Sequence, residues 1–547
     1  PADGRQAGLS RANLLPAVAS GDAIMAERAQ AQARSGSPGG SVAGLVSGGR
    51  VMSHADLEVA VVKAAGGLAS LGVGVGDCVA ILMRNDAHFM VASYAAMRLG
   101  AYAVPLNWHF KSEEVGYILR DCAAKALVGH NDLLAGVAAA IPPGIALIAA
   151  PPPSEGRAAY GIGEVAAPSG AVDLDRWLDA SPAWTGPPVP PTQSMIYTSG
   201  TTGNPKGVRR TPPTAEQQAA LERMRVRTYG LVPGVRALLP GPLYHSAPNS
   251  FAIRGTRIAG AMVLMPRFDP IELLEAIERY RIEVTFMVPT MFVRLLKLPE
   301  EVRRRYDLSS LRFVMHAAAP CAPDVKRRMI EWWGPIFFKD SGATESGAVT
   351  IVSSGEWLER PGTVGRPTEG ASVRIYGEQG ELLAPGGVGE VYTRLDPFNS
   401  FTYHNLPEKR REIERDGHIT CGDVGYLDEA GYLFLCDRKR DMVISGGVNI
   451  YPAEIEAAAH TMAGVRDCVV FGIPDDEYGE ALIALLEPMP GVDLTPDEVR
   501  RHLAARLADY KVPRRIEIRT GLPREDSGKI FKRRLREPYW QAAGRKI

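Results

Sequence analysis

A loop of glycine and hydroxyl residues is the part of this chain best suited to hold phosphate groups. Residues 197–208 read Tyr-Thr-Ser-Gly-Thr-Thr-Gly-Asn-Pro-Lys-Gly-Val and follow an apolar lead-in at 195–196. Glycine lets backbone N–H groups approach a ligand closely, hydroxyls donate to phosphate oxygens, and Lys206 supplies a positive charge. Pro205 stands where a Walker P-loop needs glycine, so the pattern predicts a polyphosphate cradle of another kind.

Two further clusters offer a carboxylate to a nucleotide. Residues 340–345, Asp-Ser-Gly-Ala-Thr-Glu, follow an apolar run at 336–338. Because Mg²⁺ prefers one or two carboxylates together with phosphates and water, Glu345 is a natural magnesium ligand beside a triphosphate. Asp423 lies between two glycines in residues 420–426, where a carboxylate can hold vicinal hydroxyls such as those of a ribose. Taken alone, residues 340–345 are also compatible with a solvated turn, and residues 420–426 are compatible with a hairpin turn.

A fourth cluster lies near the C-terminal end of the chain. Residues 523–529 read Pro-Arg-Glu-Asp-Ser-Gly-Lys, a glycine turn with Lys529 at its exit. The basic stretch that follows at 530–535 is, by itself, typical of a solvated helix face.

Alternating helix and strand signals indicate how these clusters are positioned. Ser53 is a helix N-cap with Asp56 at the capping-box position. Strands that alternate with helices predict an α/β fold of parallel sheet with helices on its faces. The predicted helices are 53–71, 87–98, 271–280 and 496–507, and the predicted strands are 78–83, 101–104, 284–288 and 469–473.

Two segments are interpreted as connectors. Residues 141–191 are rich in Pro, Gly and Ala and precede the phosphate-type loop. The second is the charged cluster Asp-Arg-Lys-Arg-Asp at 437–441, which lies between two apolar strands. About 105 residues follow it, enough for a small domain. The predicted organisation is a large domain over 1–436, a hinge over 437–441 and a small domain over 442–547.

Composition excludes several other classes of protein. Lys+Arg and Asp+Glu are both 62, so bulk charge does not favour nucleic acid or membrane surfaces. No apolar run reaches the length of about 18 residues that spans a bilayer, and the first residues carry no signal-peptide pattern. The six cysteines form no Cys-x-x-Cys pair, which favours a reducing, cytoplasmic compartment.

In this order, the four clusters resemble those of the adenylate-forming superfamily, which comprises acyl-CoA synthetases, firefly luciferases and peptide-synthetase adenylation domains. The resemblance extends from about Ser53 to Leu535, and the detailed pattern looks most like that of a bacterial fatty-acyl or aryl-CoA ligase. The other segments that agree are Pro-Leu-Tyr-His-Ser-Ala-Pro at 242–248, His-Ala-Ala-Ala-Pro at 316–320, Gly-Arg-Pro at 365–367, Tyr-His-Asn-Leu-Pro-Glu at 403–408 and Asp-Arg-Lys-Arg-Asp-Met-Val-Ile-Ser-Gly-Gly-Val-Asn-Ile-Tyr-Pro at 437–452.

The resemblance implies a fold and a two-step reaction. The fold is a large N-terminal domain of parallel α/β sheet layers with a β-barrel-like subdomain, followed by a small mobile α+β domain. A carboxylic acid first attacks the α-phosphorus of ATP and gives acyl-AMP and pyrophosphate. The thiol of coenzyme A then displaces AMP. The implied partners are the acid, ATP, Mg²⁺ and CoA, and the resemblance leaves a homodimer open.

The resemblance also implies roles for individual residues. Lys529 would bridge the carboxylate and the α-phosphate, since a compact, flexible ammonium can follow the migrating charge. Arg440 occupies the hinge position, and rotation there would exchange Lys529 for the CoA-binding segment. The phosphate cradle would be Thr198, Ser199, Gly200, Thr201, Thr202, Gly203 and Lys206; Thr344 would contact the α-phosphate and Glu345 would ligate Mg²⁺; Ala318, Ser341, Gly342, Asp423 and Arg438 would hold the nucleoside; Tyr244, His245, His316 and Ala317 would line the acyl pocket; and Gly446, Gly447 and Asn449 would contact CoA.

One position departs from the pattern, and several alternatives remain open. Relatives have an adenine-stacking aromatic residue where this chain has Ser341, and a hydroxyl cannot replace a ring face. His245 fits either an acyl gate or a packed core histidine. A carrier-protein-loading or amino-acid-activating enzyme is the main alternative, although residues 245–251 contain no acidic residue for a substrate amine. A luciferase-type oxidase and a non-catalytic nucleotide binder are the others.

Overall fold

The computed structural model describes most of the 547-residue chain. The described residues are 42–198, 205–319, 321–396, 398–439, 441–445, 448–476, 478–524 and 530–543, and for Asn449 and Arg533 only the backbone is described. None of the helices in these ranges is long and apolar enough to cross a membrane.

The largest sheet in the described ranges has nine strands, and its centre is parallel. The sheet is antiparallel at both edges, where the strand Phe337–Ala343 pairs with Gly347–Ser353 and the strand Gly44–Ser47 pairs with Arg50–Met52. In spatial order its strands are Arg366–Pro367, Gly347–Ser353, Phe337–Ala343, Phe313–His316, Val284–Met287, Arg236–Leu239, Ala261–Leu264, Gly44–Ser47 and Arg50–Met52.

A second, fully parallel sheet lies behind it. Helix Ala87–Arg98 is buried along eleven of its twelve residues, because it packs in the core between the two sheets. The strands of the second sheet, in order, are Tyr102–Pro105, Cys78–Leu82, Ala126–His130, Ala146–Ala150 and Val172–Asp173. The α/β prediction is therefore confirmed.

The helices begin where the sequence carries start signals. Ser53 caps helix His54–Ser70 through a capping box with Asp56. A Cβ on Gly66 of that helix would lie 1.9 Å from the Pro182 carbonyl oxygen, so glycine permits close packing there. The remaining helices are Ser112–Asp121, Asn131–Val137, Ser154–Tyr160, Leu174–Ala180, Ala215–Tyr229, Ser246–Ile258, Pro270–Tyr280, Pro289–Leu296, Glu300–Arg303, Pro323–Trp333, Ser354–Glu359, Pro407–Glu412, Pro452–His460, Pro496–Ala504 and Lys532–Ala542, with 3₁₀ turns at Ala138–Ala140 and Asp509–Lys511.

Two smaller sheets lie beside the two mainly parallel sheets and contact them. The strand Lys206–Arg210 pairs antiparallel with Phe401–Tyr403 and with Ile196–Thr198. The other sheet is antiparallel and corresponds to the predicted barrel-like subdomain; its strands are Ala371–Tyr376, Gly389–Leu395, His418–Leu427, Glu414–Arg415 and Leu433–Arg438.

The C-terminal part has a sheet and a core of its own. Its two long strands, Val465–Asp475 and Gly479–Pro488, pair antiparallel, and Arg515–Ile518 joins the second of them in parallel. The short strands Val443–Ser445 and Val448–Ile450 complete that sheet. The exact domain limits and the hinge remain predictions.

One local prediction was wrong, and two turn alternatives do not describe the structure. Residues 141–191 are not a simple connector, since they contain two strands of the second sheet and two helices. Asp423 does not lie in a turn but within the strand His418–Leu427. Residues 340–345 are not a solvated turn as a whole, since the strand that begins at Phe337 runs through to Ala343 and the turn begins at Thr344. Composition and glycine content suggested loops in these places, but pairing with neighbouring strands overrides such local preferences.

Candidate active site

Of the predicted ATP and acyl residues that the structure describes, all but His316 line a single large cavity of about 2740 Å³. Its walls come from the large sheet, the two smaller sheets beside it and the C-terminal part. The predicted residues that line it are Thr198, Lys206, Tyr244, His245, Ala317, Ala318, Ser341, Gly342, Thr344, Glu345, Asp423 and Arg438. Ser199, Gly200, Thr201, Thr202, Gly203, Arg440, Gly446, Gly447 and Lys529 lie outside the described residues, as does the side chain of Asn449.

Glu345 lies in the turn of a β-hairpin and already has two hydroxyl partners. The hydroxyl of Tyr403 donates to its Oε1 at 3.0 Å, and Thr198 Oγ1 donates to the same oxygen at 3.3 Å. Burial, reinforced by the nearby Glu345, raises the pKa of Tyr403, so that phenol stays protonated and able to donate. The carboxylate is therefore held in one orientation at the cavity wall.

Arg210 supports the same turn from behind. Its Nη2 donates to the backbone oxygens of Thr344 at 2.7 Å and Glu345 at 2.6 Å, and its Nη1 donates to the oxygen of Asn399 at 2.8 Å. The guanidinium lies 3.8 Å from the ring centroid of Phe398. Burial lowers the pKa of Arg210 to about 9, which still leaves it charged at neutral pH. No sequence motif marks this arginine as important.

Lys206 lies beside the two residues that donate to this carboxylate. It pairs with Thr198 across two antiparallel strands, and its ammonium lies 4.9 Å from the ring centroid of Tyr403. The loop between the paired residues is the predicted phosphate cradle. Because Glu345 accepts from both Thr198 and Tyr403, Lys206 and Glu345 share these two residues as neighbours.

Asp423 and Arg438 form a pair farther along the cavity. They are partners across two antiparallel strands, and Arg438 Nε lies 3.3 Å from Asp423 Oδ1. Both line the cavity. This places a carboxylate next to an arginine, as the ribose-binding prediction requires.

Where the nucleoside was predicted to bind, the backbone has a close approach between two strands and a residue in the left-handed conformation. A Cβ on Gly342 would lie 1.8 Å from the carbonyl oxygen of Gly347, so only glycine permits the hairpin to close there. Ala318 has φ 72°, a left-handed conformation that is rare for alanine. Strained residues of this kind cluster at ligand sites. Ser341 lines the cavity as predicted, without an aromatic ring of its own.

The acyl side of the cavity has an aromatic entrance. The ring of Tyr244 lies 4.5 Å from that of Trp108, edge to face, and 4.4 Å from that of His245. His245 is only half-buried and lines the cavity, so it is not a packed core histidine. Tyr229 and Phe286 continue the wall inward.

His316 differs from its prediction. Side chains alternate along a strand, so Ala317 lines the cavity whereas His316 lies on the other face of the sheet, with its ring 5.3 Å from that of Phe292. It is fully buried, and burial together with the nearby Lys326 holds its pKa well below its usual range. His316 is therefore not an acyl-pocket residue by contact.

A fully buried lysine lies under the same face of the sheet. Lys326 belongs to helix Pro323–Trp333, and its Nζ lies 4.9 Å from the ring centroid of Trp357. Within the described part of the chain, this Nζ has no hydrogen-bond partner. Burial, followed by repulsion from Lys339, lowers the pKa of Lys326 to about 7.

The outer part of the acyl side is charged. Glu222 accepts from Arg225 at 2.9 Å and forms an ion pair with Arg254 at 2.5 Å. All three residues line the cavity. Glu222 precedes Tyr229 by seven residues on helix Ala215–Tyr229, which is about 10 Å along the axis. Along this helix, the cavity lining therefore changes from aromatic at Tyr229 to charged at Glu222 within about 10 Å.

An ion pair and a hydrogen bond join helix Pro452–His460 to segments that follow and precede it in the sequence. Lys532 Nζ lies 2.8 Å from Glu456 Oε1, and attraction to that carboxylate outweighs burial and raises the pKa of Lys532. Asp437 Oδ2 accepts from the backbone N–H of Ala453 at 2.9 Å, in the first turn of helix Pro452–His460. Both lysine and glutamate lie within sequence motifs, but their pairing could not be predicted from them.

A cavity that brings a lysine, an oriented carboxylate and an Asp–Arg pair together has the groups that a nucleotide-dependent enzyme requires. The chain belongs to the AMP-binding enzyme family: that family's model matches residues 31–399, and the model of the AMP-binding enzyme C-terminal domain matches residues 454–529. Its function is that of an acyl-CoA synthetase, which forms acyl-AMP from an acid and ATP and then forms acyl-CoA.

Individual relatives agree over almost the full length. A feruloyl-CoA synthase from an Amycolatopsis species is 33% identical over 494 residues, which cover 90% of this chain and 95% of the relative. The long-chain-fatty-acid–CoA ligase FadD13 of Mycobacterium tuberculosis is 31% identical over 500 residues, covering 89% and 93%. The crystal structure of an anthranilate CoA ligase, AuaEII, with anthranoyl-AMP has a TM-score of 0.78 and 25% identity, covering 92% of this chain and 95% of that one.

Proposed function

We propose that this acyl-CoA synthetase acts on an aromatic or other short, broad carboxylic acid. The observation that carries this proposal is the short aromatic section of the cavity, which is bounded by the charged group of Glu222, Arg225 and Arg254. An alkyl tail that passed this group would lose about 0.8 kcal/mol of burial for every methylene left against charge. The relatives named for feruloyl and anthranoyl groups support the same class of acid.

The described residues suggest how the carboxylate of the acid and the triphosphate of ATP, both anions, are brought together. Lys206 would bind the β- and γ-phosphates, Thr344 would contact the α-phosphate, and Asp423 with Arg438 would hold the ribose. Glu345, already oriented by two hydroxyl donors, would ligate Mg²⁺, which when bound neutralises phosphate charge. Positioning and charge neutralisation are the main means of catalysis available to such a site.

We also propose the domain organisation and the hinge at Arg440, with Lys529 acting in the first step and Gly446, Gly447 and Asn449 in the second. All six cysteines are free, which supports a reducing compartment such as the cytoplasm. A homodimer stays a prediction, to be checked by light scattering.

A long-chain fatty acid is the second candidate. It is favoured by the fatty-acid relative and by the large total volume of the cavity. Acid-dependent exchange of label between pyrophosphate and ATP, measured with benzoate, cinnamate, octanoate and palmitate, separates the two candidates. We expect the aromatic acids to give the highest kcat/KM; a clear preference for palmitate would contradict the proposal.

Lys529→Ala tests the division of labour between the two steps. We expect it to abolish acyl-AMP formation while thioester formation from supplied acyl-AMP and CoA stays largely intact. Equal loss of both half-reactions would contradict the alternation of domains.

A further inference from the structure

Asp340 places a buried carboxyl group in the wall of the acyl side of the cavity. The residue is only 7% exposed, yet it lines the cavity. Its Oδ1 is buried and has no hydrogen-bond partner among the described residues. Buried polar groups are nearly always paired, so an unpaired carboxyl oxygen at a cavity wall requires an explanation.

Strand geometry places this carboxyl on the face of the sheet that borders the acyl side of the cavity, and not on the opposite face. Asp340 is two residues from Phe338 on the same strand, so the two side chains share one face. The Phe338 ring stacks on that of Phe313 at 4.2 Å, in the core that also contains Phe286 and Ala317. That face is the acyl side.

The groups around Asp340 are consistent with this direction. Burial, and after it the charge of Asp340, raises the pKa of the Tyr229 phenol, so the two side chains lie within electrostatic reach. Lys339, the preceding residue, is the positive charge that acts on the carboxyl, and its own pKa is lowered by burial. Burial outweighs a hydrogen bond from the backbone N–H of Asp340 itself and, after it, the charge of Lys339, and raises the pKa of Asp340 to about 7. The carboxyl is thus poorly solvated and only weakly balanced by charge.

Such a group destabilises the fold unless something pairs with it. Burying a carboxyl oxygen without a partner costs on the order of 1–3 kcal/mol in proteins. A substrate group that donates a hydrogen bond would remove that cost when it binds. Sites built around a buried polar group also reject analogues that lack its partner, because the group is then left unpaired.

We propose that Asp340 accepts a hydrogen bond from a hydroxyl or amino group of the acid substrate and selects for acids that carry one. This inference rests on the proposed function, since it assumes that an aromatic or similarly short acid occupies this side of the cavity. It narrows the substrate class to acids with a donor on the ring or side chain.

Matched acids test the proposal on the full-length enzyme. Benzoate and cinnamate are compared with their hydroxy, amino and methoxy derivatives at each ring position, and with 4-(aminomethyl)benzoate, by pyrophosphate exchange. We expect a hydroxy or amino derivative at one position to exceed its parent acid about tenfold in kcat/KM. The methoxy derivative, which accepts but cannot donate, should show no such gain.

Two variants assign the preference to Asp340. In Asp340→Ala, the donor-bearing acid should lose about tenfold while the parent acid gains about threefold, because the unpaired carboxyl is removed. Asp340→Asn should keep the preference for a hydroxyl but lose any preference for the ammonium of 4-(aminomethyl)benzoate, which separates the two kinds of donor. KM for ATP reports whether the nearby nucleotide site is intact.

A control and two contrary outcomes complete the test. Asp179→Ala removes a carboxylate that is 88% exposed and does not line the cavity, and it should change none of these ratios. If Asp340→Ala lowers all acids by the same factor, or if no donor derivative exceeds its parent, the inference is wrong while the proposed function stands. If no acid supports exchange, the proposed function itself fails.

Discussion

Two buried regions beside the same hairpin handle charge in opposite ways. Behind the turn, the Arg210 guanidinium donates hydrogen bonds to three backbone oxygens of the chain. Along the adjoining strand and helix, Asp340 and Lys326 each bury an ionisable atom without a hydrogen bond to any described residue. A paired buried charge orders the turn around it, whereas an unpaired one costs stability. Of the two unpaired groups, only Asp340 lines the cavity, which is why it alone is assigned a ligand.

The largest effect is expected from removing the paired charge. Arg210→Met leaves the oxygens of Asn399, Thr344 and Glu345 without their donor, and it should lower the free energy of unfolding by about 3 kcal/mol. The loosened turn should also raise KM for ATP about tenfold, as measured by pyrophosphate exchange.

Arg210→Lys is the matched control for that variant. A lysine keeps the charge but cannot reproduce the forked geometry. We expect an intermediate loss of both stability and ATP affinity. Unchanged ATP affinity in both variants would show that the turn is held without Arg210.

Removing an unpaired charge should raise the free energy of unfolding, whereas removing the paired charge of Arg210 should lower it. Lys326→Met keeps most of the volume and should raise the free energy of unfolding by about 2 kcal/mol at pH 7, measured by urea denaturation. The Lys326 pKa in the folded protein is lowered to about 7, so between pH 7 and about 10 the unfolded chain binds more protons. Wild-type stability therefore rises over that range, and the advantage of the variant should shrink. A destabilised variant would mean that Lys326 has a partner.

Asp340→Asn should raise the free energy of unfolding by less than Lys326→Met does. Its advantage over the wild type should grow, not shrink, as pH rises. The Asp340 pKa in the folded protein is raised from 3.8 to about 7, so the native state binds more protons between these values. Wild-type stability then falls as pH rises through this window, by about 1 kcal/mol after allowance for relaxation. The variant should therefore match the wild type near pH 4 and exceed it above pH 7. Equal stability at both pH values would contradict burial of an unpaired carboxyl.

Sequence reasoning found the residues of the nucleotide site better than the contacts that hold them. Lys206, Glu345 and Asp423 are marked by glycine-rich or carboxylate patterns with a recognisable spacing. Arg210 and Asp340 carry no such signal, because their importance depends on what surrounds them after folding. An arginine within a strand and an aspartate before a turn are both typical of solvent-exposed positions.

His316 shows the same limit in the opposite direction. Its motif placed it in the acyl pocket beside Ala317, but strand alternation turns its side chain to the other face. The motif identified a strand that reaches the cavity, since Ala317 lines it, but the direction of the His316 side chain depends on how the strand lies in the sheet.

The sequence by itself determined the family, the two-step chemistry and the α/β fold, because these depend on ordered local motifs and on hydrophobic periodicity. Only the tertiary structure decided which faces the site residues occupy, which charges are paired, and where the apolar part of the acyl side ends. These properties arise between residues far apart in the chain, as with Arg210 and Glu345 or Glu222 and Arg254. Burial and the balance of charge within it are set by packing, and no local pattern encodes them.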